Sequence, residues 1–215
     1  MLFSRSKDGG ADKVADLKEG ELGDVKVTIQ ETGALNGKTG AMLIKVERLS
    51  SDLSQVRLFH TSVTRAIATW PNWQGEPGFT GSFEDFVAER FPSSQAGDFA
   101  VLEAGIVSEE TYVQQQQYWE TSYHPLIKYV LDTYKPDLAL VGYPGTDEIQ
   151  HQFLGLVTKK LPNGAKNPAY DDVEVNGTPD NRVKQREAFI REAYEEADEV
   201  PVSYTHLTLP TIYSV

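Results

Sequence analysis

The chain of 215 residues carries a formal net charge of −12 and a pI near 4.8. This balance excludes a large nucleic-acid partner, because phosphate backbones are held by clustered Lys and Arg. It contains no cysteine, which removes disulfides, thiolate zinc sites and cysteine nucleophiles, so any zinc here is held by His and carboxylates. No run of about 18 apolar residues occurs, which argues against a membrane segment, and the start MLFSRSKDGGADK lacks the apolar h-region of a signal peptide. The length allows a sizeable core and sets an expectation of one domain, with a small inserted subdomain as the alternative.

Residues 1–24 are charged and Gly-containing, and are expected to form a solvated lead-in. From Val25 the pattern changes. Val25, Val27 and Ile29 alternate with Lys26, Thr28 and Gln30, the period-two signature of a half-buried strand. Further strands are predicted at Met42 to Val46, Val56 to His60 and Val63 to Thr69, separated by turn signals such as Asn36-Gly37 and Ser51-Asp52. Short spacing favours antiparallel pairing of neighbours, so residues 25–81 are assigned to a small β meander. That span ends in WPNWQGEPGFTG (Trp70 to Gly81), an ordered loop rich in Pro, Gly and aromatics.

A helix is predicted from a Ser82 cap to about Arg90, with Phe83, Phe86 and Val87 on one face. A longer one follows Ser108, with two acids in its first turn, and Pro125 divides it from a second part, Leu126 to Tyr134. Leu138 to Tyr143 is a continuous apolar run bounded by Pro136-Asp137 and Pro144-Gly145. Such a run suits a strand buried on both faces of a parallel sheet, and ligands gather beyond the carboxyl ends of such strands. Lys159 to Asn181 holds too many turn formers for a regular element. Asp180 then caps a helix to about Glu199, with Val183, Phe189, Ala193 and Ala197 at helical spacing.

The final segment, Val202 to Val215, contains no Asp, Glu, Lys or Arg, although 24% of the chain is charged. VSYTHLTLPTIYSV resembles the translated read-through of a transposase adapter used in DNA library preparation, with VSYTHLTLPT matching it codon by codon. On this expectation His206 has no functional meaning and the natural protein continues beyond Pro201. The competing expectation is a natural β-prone strand.

Asp147 and His151 are four residues apart, so a helix opening at Thr146 or Asp147 places both side chains on one face, within reach of a shared ion. A carboxylate and a neutral imidazole suit zinc or a similar divalent metal. The bland alternative is a helix-start acid beside a polar histidine.

Several residues around this pair act together: Tyr134-Lys135-Pro136-Asp137, the apolar run, Asp147, His151, Phe153, Gly155 and the later REAYEEADE. This combination resembles the type I phosphodiesterase and nucleotide pyrophosphatase branch of the alkaline phosphatase superfamily. The resemblance spans roughly Tyr134 to Glu199. It implies an α/β fold with a partial core around a mostly parallel sheet, formed by residues 82–201, with the meander as a small antiparallel insertion. It implies that Asp147 and His151 ligate one of two zinc ions, that the substrate is a small phosphate ester, and that an extracytoplasmic location is compatible with the chain. An acidic surface is no obstacle, since bound dications reverse the local field. In the family a Thr or Ser nucleophile precedes this motif and an Asp-His metal pair follows the Ala193-Tyr194 helix. The nucleophile's Pro-x-x-Thr-x-Pro-x-His setting does not occur here, so the chain itself is expected to be inactive. A noncatalytic α/β binding domain and another superfamily hydrolase such as a sulfatase are the alternatives.

Other signals are read more plainly. Gly33 to Thr39 is one residue short of the phosphate-loop spacing and fits a hairpin turn. His60 and His124 suit packing or surface roles, with His124 also a candidate substrate or outer contact. Trp70, Trp73 and Phe79 are expected to anchor a loop rather than stack on a base. Gln114 to Gln117 fits a solvated helix, and Asp171, Asp172 and Glu174 an exposed acidic loop rather than a calcium site.

Overall fold

A computed structural model describes residues 1–4, 13–93, 95–172, 174–175 and 178–208. They form two compact units, Met1–Tyr134 and Lys135–Val215.

The first unit begins with an element that composition hides. Strands β1 (Leu2–Ser4) and β2 (Lys13–Asp16) pair antiparallel inside the expected lead-in, and Leu17 behind them is buried. Lys13 and Asp16 are exposed on β2, while Met1, Phe3, Val14 and Ala15 pack against Leu17 and the first sheet. The meander follows as β3 (Leu22–Thr28), β4 (Thr39–Leu49) and β5 (Val56–His60), paired antiparallel in chain order. β4 is central and buried on both faces. Val25, Ile44 and Val46 pack with Leu17, Phe3 and Val14 on one side, while Ala41 and Leu43 are closed off on the other. A bulge at Glu47 shifts the β4–β5 register between Val46 and Arg48.

Both turns follow from their residues. Gly37 takes φ 77° and its N–H donates to Ile29 O at 2.9 Å, so the Gly33 to Thr39 segment is a hairpin connection. In the second, Asp52 accepts from the Ser50 hydroxyl at 2.7 Å and from Ser54 through both its hydroxyl and its N–H. These bonds to the charged form, the Ser50 hydroxyl first, hold the Asp52 carboxyl at about 2.

The strand predicted at Val63 to Thr69 does not form. Thr64 makes one antiparallel bridge to Ala41. Arg65 then ties the chain to Thr39 O at 2.6 Å and to Asp85 at 2.6 Å, turning it off the sheet edge. Ala66, Ala68, Trp70, Trp73 and Phe79 run instead onto α1 (Phe83–Arg90). The Ser82 cap is present as a full capping box with Asp85, and Phe83, Phe86 and Val87 are buried as expected. A short α2 (Phe99–Glu103), not foreseen, is capped by Asp98. α3 (Glu109–Ser122) starts at the Ser108 cap, and α4 (His124–Tyr134) begins at the expected Pro125 division.

The second unit is a helix pair with a folded-back loop. α5 (Gly145–Val157) and α6 (Arg182–Thr208) pack through Ile149, Phe153 and Ala193, with the Phe153 and Phe189 rings 5.5 Å apart. Asp180 accepts from Arg182 N at 2.9 Å at the start of α6, which runs past the expected end at Glu199 into the segment from Val202. The loop after α5 returns to cap it. The buried Asn167 donates to Gly155 O and Thr158 O, both at 2.8 Å, satisfying carbonyls that a helix end leaves open. Two-residue strands β6 (Glu174–Val175) and β7 (Thr178–Pro179) pair antiparallel before α6.

The α/β class holds, but the sheet differs from expectation. Pairings between the named strands are antiparallel, and a parallel contact among the described residues is confined to the bridge between Glu19 and Val46. Leu138 to Tyr143 is not a strand, and Leu138 and Leu140 are 73% and 89% exposed. A strand buried on both faces requires a neighbour on at least one edge and cover above and below. The strands described in its unit are the two-residue pair β6 and β7, which bond to each other and not to this run. No helix among the described residues is long and apolar enough to cross a membrane.

Candidate metal-ligand pair on helix α5

The geometry of α5 follows from its buried face. At 3.6 residues per turn, Ile149 and Phe153 define one side of the helix, and Asp147 and His151 fall on the opposite side. Their side chains are correspondingly open, 71% and 72% exposed, and His151 Nε2 lies 3.4 Å from Asp147 Oδ1. The structure therefore brings the two residues together as the i, i+4 spacing requires.

The separation has two chemical meanings. With no metal, it is an exposed pair whose attraction is worth at most about 1 kcal/mol when His151 is protonated. With zinc bonds of about 2.0–2.2 Å to oxygen and about 2.0–2.1 Å to nitrogen, the edge of a tetrahedron spans about 3.4 Å. The donor types and their spacing thus fit one zinc ion, with two of its four positions filled. No group of three or more His, Asp or Glu side chains able to hold a metal occurs among the described residues. No side chain caps the start of α5, where Pro144 precedes the helix and Asp147 and Glu148 lie in the first turn.

No family model, no curated protein and no solved structure matches this chain.

The other candidates resolve into packing. Phe153 belongs to the α5–α6 core, whereas Gly155 is exposed and serves through its carbonyl. His60 Nδ1 is 3.1 Å from Thr61 O. His124 is half-buried at the start of α4, and burial pushes its imidazole down, favouring the neutral form. Trp70, Trp73 and Phe79 join Phe83, Phe86 and Tyr129 as a ring cluster, as a core-anchored loop should. Asp171 accepts from the buried Arg186 at 2.6 Å and so has a structural partner. Asp172 is exposed. The side chains of Glu174 and His206, and residues 209–215, lie outside the described residues.

The glutamine run is a correction. Gln115 and Gln116 are buried, not solvated. Gln115 donates to Gln95 O at 2.9 Å and Ala96 O at 2.7 Å, while Gln116 accepts from Gly97 N at 3.0 Å and donates to the Tyr112 hydroxyl at 3.2 Å. A loop with no sheet partner needs donors and acceptors from elsewhere, and two amides provide both.

Sequence reasoning also missed two charged clusters. Asp85 accepts from Lys38 at 2.8 Å and from Arg65 at 2.6 Å; the Lys38 bond, opposed by partial burial and aided by Ser82, holds its carboxyl far below the usual range. Lys45 is buried on β4 and donates to the Thr111 hydroxyl at 2.7 Å. A lone Lys inside the apolar run Met42 to Val46 was the available signal.

Proposed function

We propose that the unit from Lys135 onward carries part of one zinc site of a phosphate-ester hydrolase, with Asp147 and His151 as ligands and a phosphodiester or nucleotide phosphate ester as substrate class. The observation that carries this reading is the 3.4 Å approach of a carboxylate oxygen and an imidazole nitrogen on the solvent face of one helix. Zinc there would supply Lewis acidity toward a phosphoryl oxygen. Asp147 would contribute charge, and His151 a neutral nitrogen whose orientation is set by its place one turn along. The reading requires a Thr or Ser nucleophile and further ligands from outside these 215 residues, so hydrolysis by this chain alone is not expected.

Cobalt titration of the full chain, followed by visible absorption, tests the pair directly. Binding that weakens at least about tenfold in both Asp147→Ala and His151→Ala, with no turnover of a nitrophenyl phosphate ester, agrees with the proposal. Binding unchanged in both variants overturns it. Sequencing the source gene on either side tests the parent enzyme: an upstream nucleophile and a downstream Asp-His pair are expected, and their absence from an intact gene ends the hydrolase reading.

A further inference from the structure

Independently of the α5 pair, the first unit holds an amine in a setting unlike that of an ordinary lysine. Lys45 is 6% exposed, although nearly all lysines keep their ammonium in water. Its Nζ donates to the Thr111 hydroxyl at 2.7 Å, and that hydroxyl donates onward to Glu47 Oε1 at 2.9 Å. The other Glu47 oxygen is held by Arg57 Nε at 2.7 Å. Glu47 therefore meets Lys45 through a hydroxyl and is itself fixed by a second cation. The bulge at Glu47 sits in this cluster.

The amine borders on open space. Lys45, Thr111 and Glu47 line a cleft of about 490 Å³ whose rim includes Arg48, Arg57, Glu19 and Ser108. Arg57 is committed to Glu47 and to Ile106 O, whereas Arg48 is exposed at the rim. Burial pushes the Lys45 ammonium below its ordinary value, against the opposing pull of Glu47 and Glu110. A cleft, a buried amine, a relay to a carboxylate and a rim guanidinium are together the elements of an imine-forming site.

We propose that Lys45 is a reactive amine that condenses with a small carbonyl compound bearing a carboxylate, such as a 2-oxo acid, with Arg48 receiving the carboxylate. The ammonium passes one proton to the Thr111 oxygen as the Thr111 hydroxyl passes its own to Glu47. The lone pair of the amine attacks the carbonyl carbon, and the carbinolamine oxygen takes up the proton held on Glu47 together with one of the two amine protons and leaves as water, so that Glu47 is again a carboxylate and the other proton stays on the imine nitrogen. An imine between Nζ and the former carbonyl carbon remains, and no oxidant or reductant enters.

The test is reductive trapping on the full chain with glyoxylate and cyanoborohydride, read lysine by lysine by peptide mass mapping, with propanal as the carbonyl lacking a carboxylate. Lys45 is expected to be modified at least about tenfold faster than the exposed Lys18 and Lys135, because burial keeps more of it as the free amine. Arg48→Ala should slow trapping of glyoxylate at Lys45 severalfold and leave propanal unchanged. Thr111→Val, checked for native circular dichroism, should slow both reagents at Lys45 while sparing Lys18. Lys45 reacting no faster than Lys18 in the unaltered chain overturns the site. Equal effects of Arg48→Ala on the two carbonyls overturn the carboxylate-bearing ligand.

Discussion

The two units are held together in different ways. In Met1–Tyr134, Phe86 alone lies within ring contact of Trp73, Phe79, Phe83, Phe91 and Tyr129, at centroid distances from 5.2 to 6.5 Å. A second apolar cluster lies across the sheet. Among the described residues of Lys135–Val215 the apolar contact rests on two helices, through Ile149, Phe153 and Ala193, with Phe153 the largest buried side chain. The first unit spreads its stability over many neighbours, and the second concentrates it. Loss of one side chain should therefore be felt locally and differently in each.

The largest effect is expected from Phe86→Ala, at about 4 kcal/mol, because a ring contacted on all sides leaves a cavity its neighbours cannot all fill. Urea unfolding followed by Trp fluorescence measures it, since the Trp70 and Trp73 indoles lie in the same cluster. Phe153→Ala should cost about 3 kcal/mol and appear mainly as faster proteolysis after Lys135, with the Trp transition unmoved. If each substitution shifts both transitions equally, the units unfold as one and the contrast fails.

Asp85→Asn comes next, at about 2 kcal/mol, because it leaves Arg65, 7% exposed, facing a neutral group. The sign with pH follows from the depressed carboxyl. Its folded value lies below its unfolded one, so the contribution is complete above about pH 4 and is lost as pH falls toward the folded value. The variant should therefore lose less stability than the parent between about pH 4 and pH 2. An identical acid profile for the two would remove the ion cluster from the stability of this unit.

The smallest effect belongs to Leu140→Ser. At 89% exposed, the residue contributes little to this fold, and the urea midpoint should move by less than about 0.5 kcal/mol equivalent. A loss above about 2 kcal/mol would show that the side chain is covered after all.

What was legible in the sequence divides along the same line. The strand at Val25 and the Ser82 and Ser108 caps could be recognised because each depends on neighbours within a few positions. β5 was also placed correctly, directly after the turn that the local Asp52 signal marks. Val63 to Thr69 has strand-forming residues too, but Arg65 is drawn to Asp85, twenty positions on, and no local pattern reports that. Leu138 to Tyr143 shows the same gap: apolar character marks a segment able to be buried, while burial itself depends on a neighbour. Gln115, Gln116 and Asn167 were missed because polar residues look solvated until the backbone groups they satisfy are in place. For the α5 pair, spacing correctly anticipated proximity, since four residues along a helix fix it.

The order of strands in the first sheet bears on how the molecule is made. β3, β4 and β5 are neighbours both in the sheet and along the chain, joined by short turns, so closing each pair costs little loop entropy. Sheets built from such near pairings form in milliseconds to seconds. The strand pairings of the meander therefore need no residue after His60, so the sheet closes without any help from the second unit.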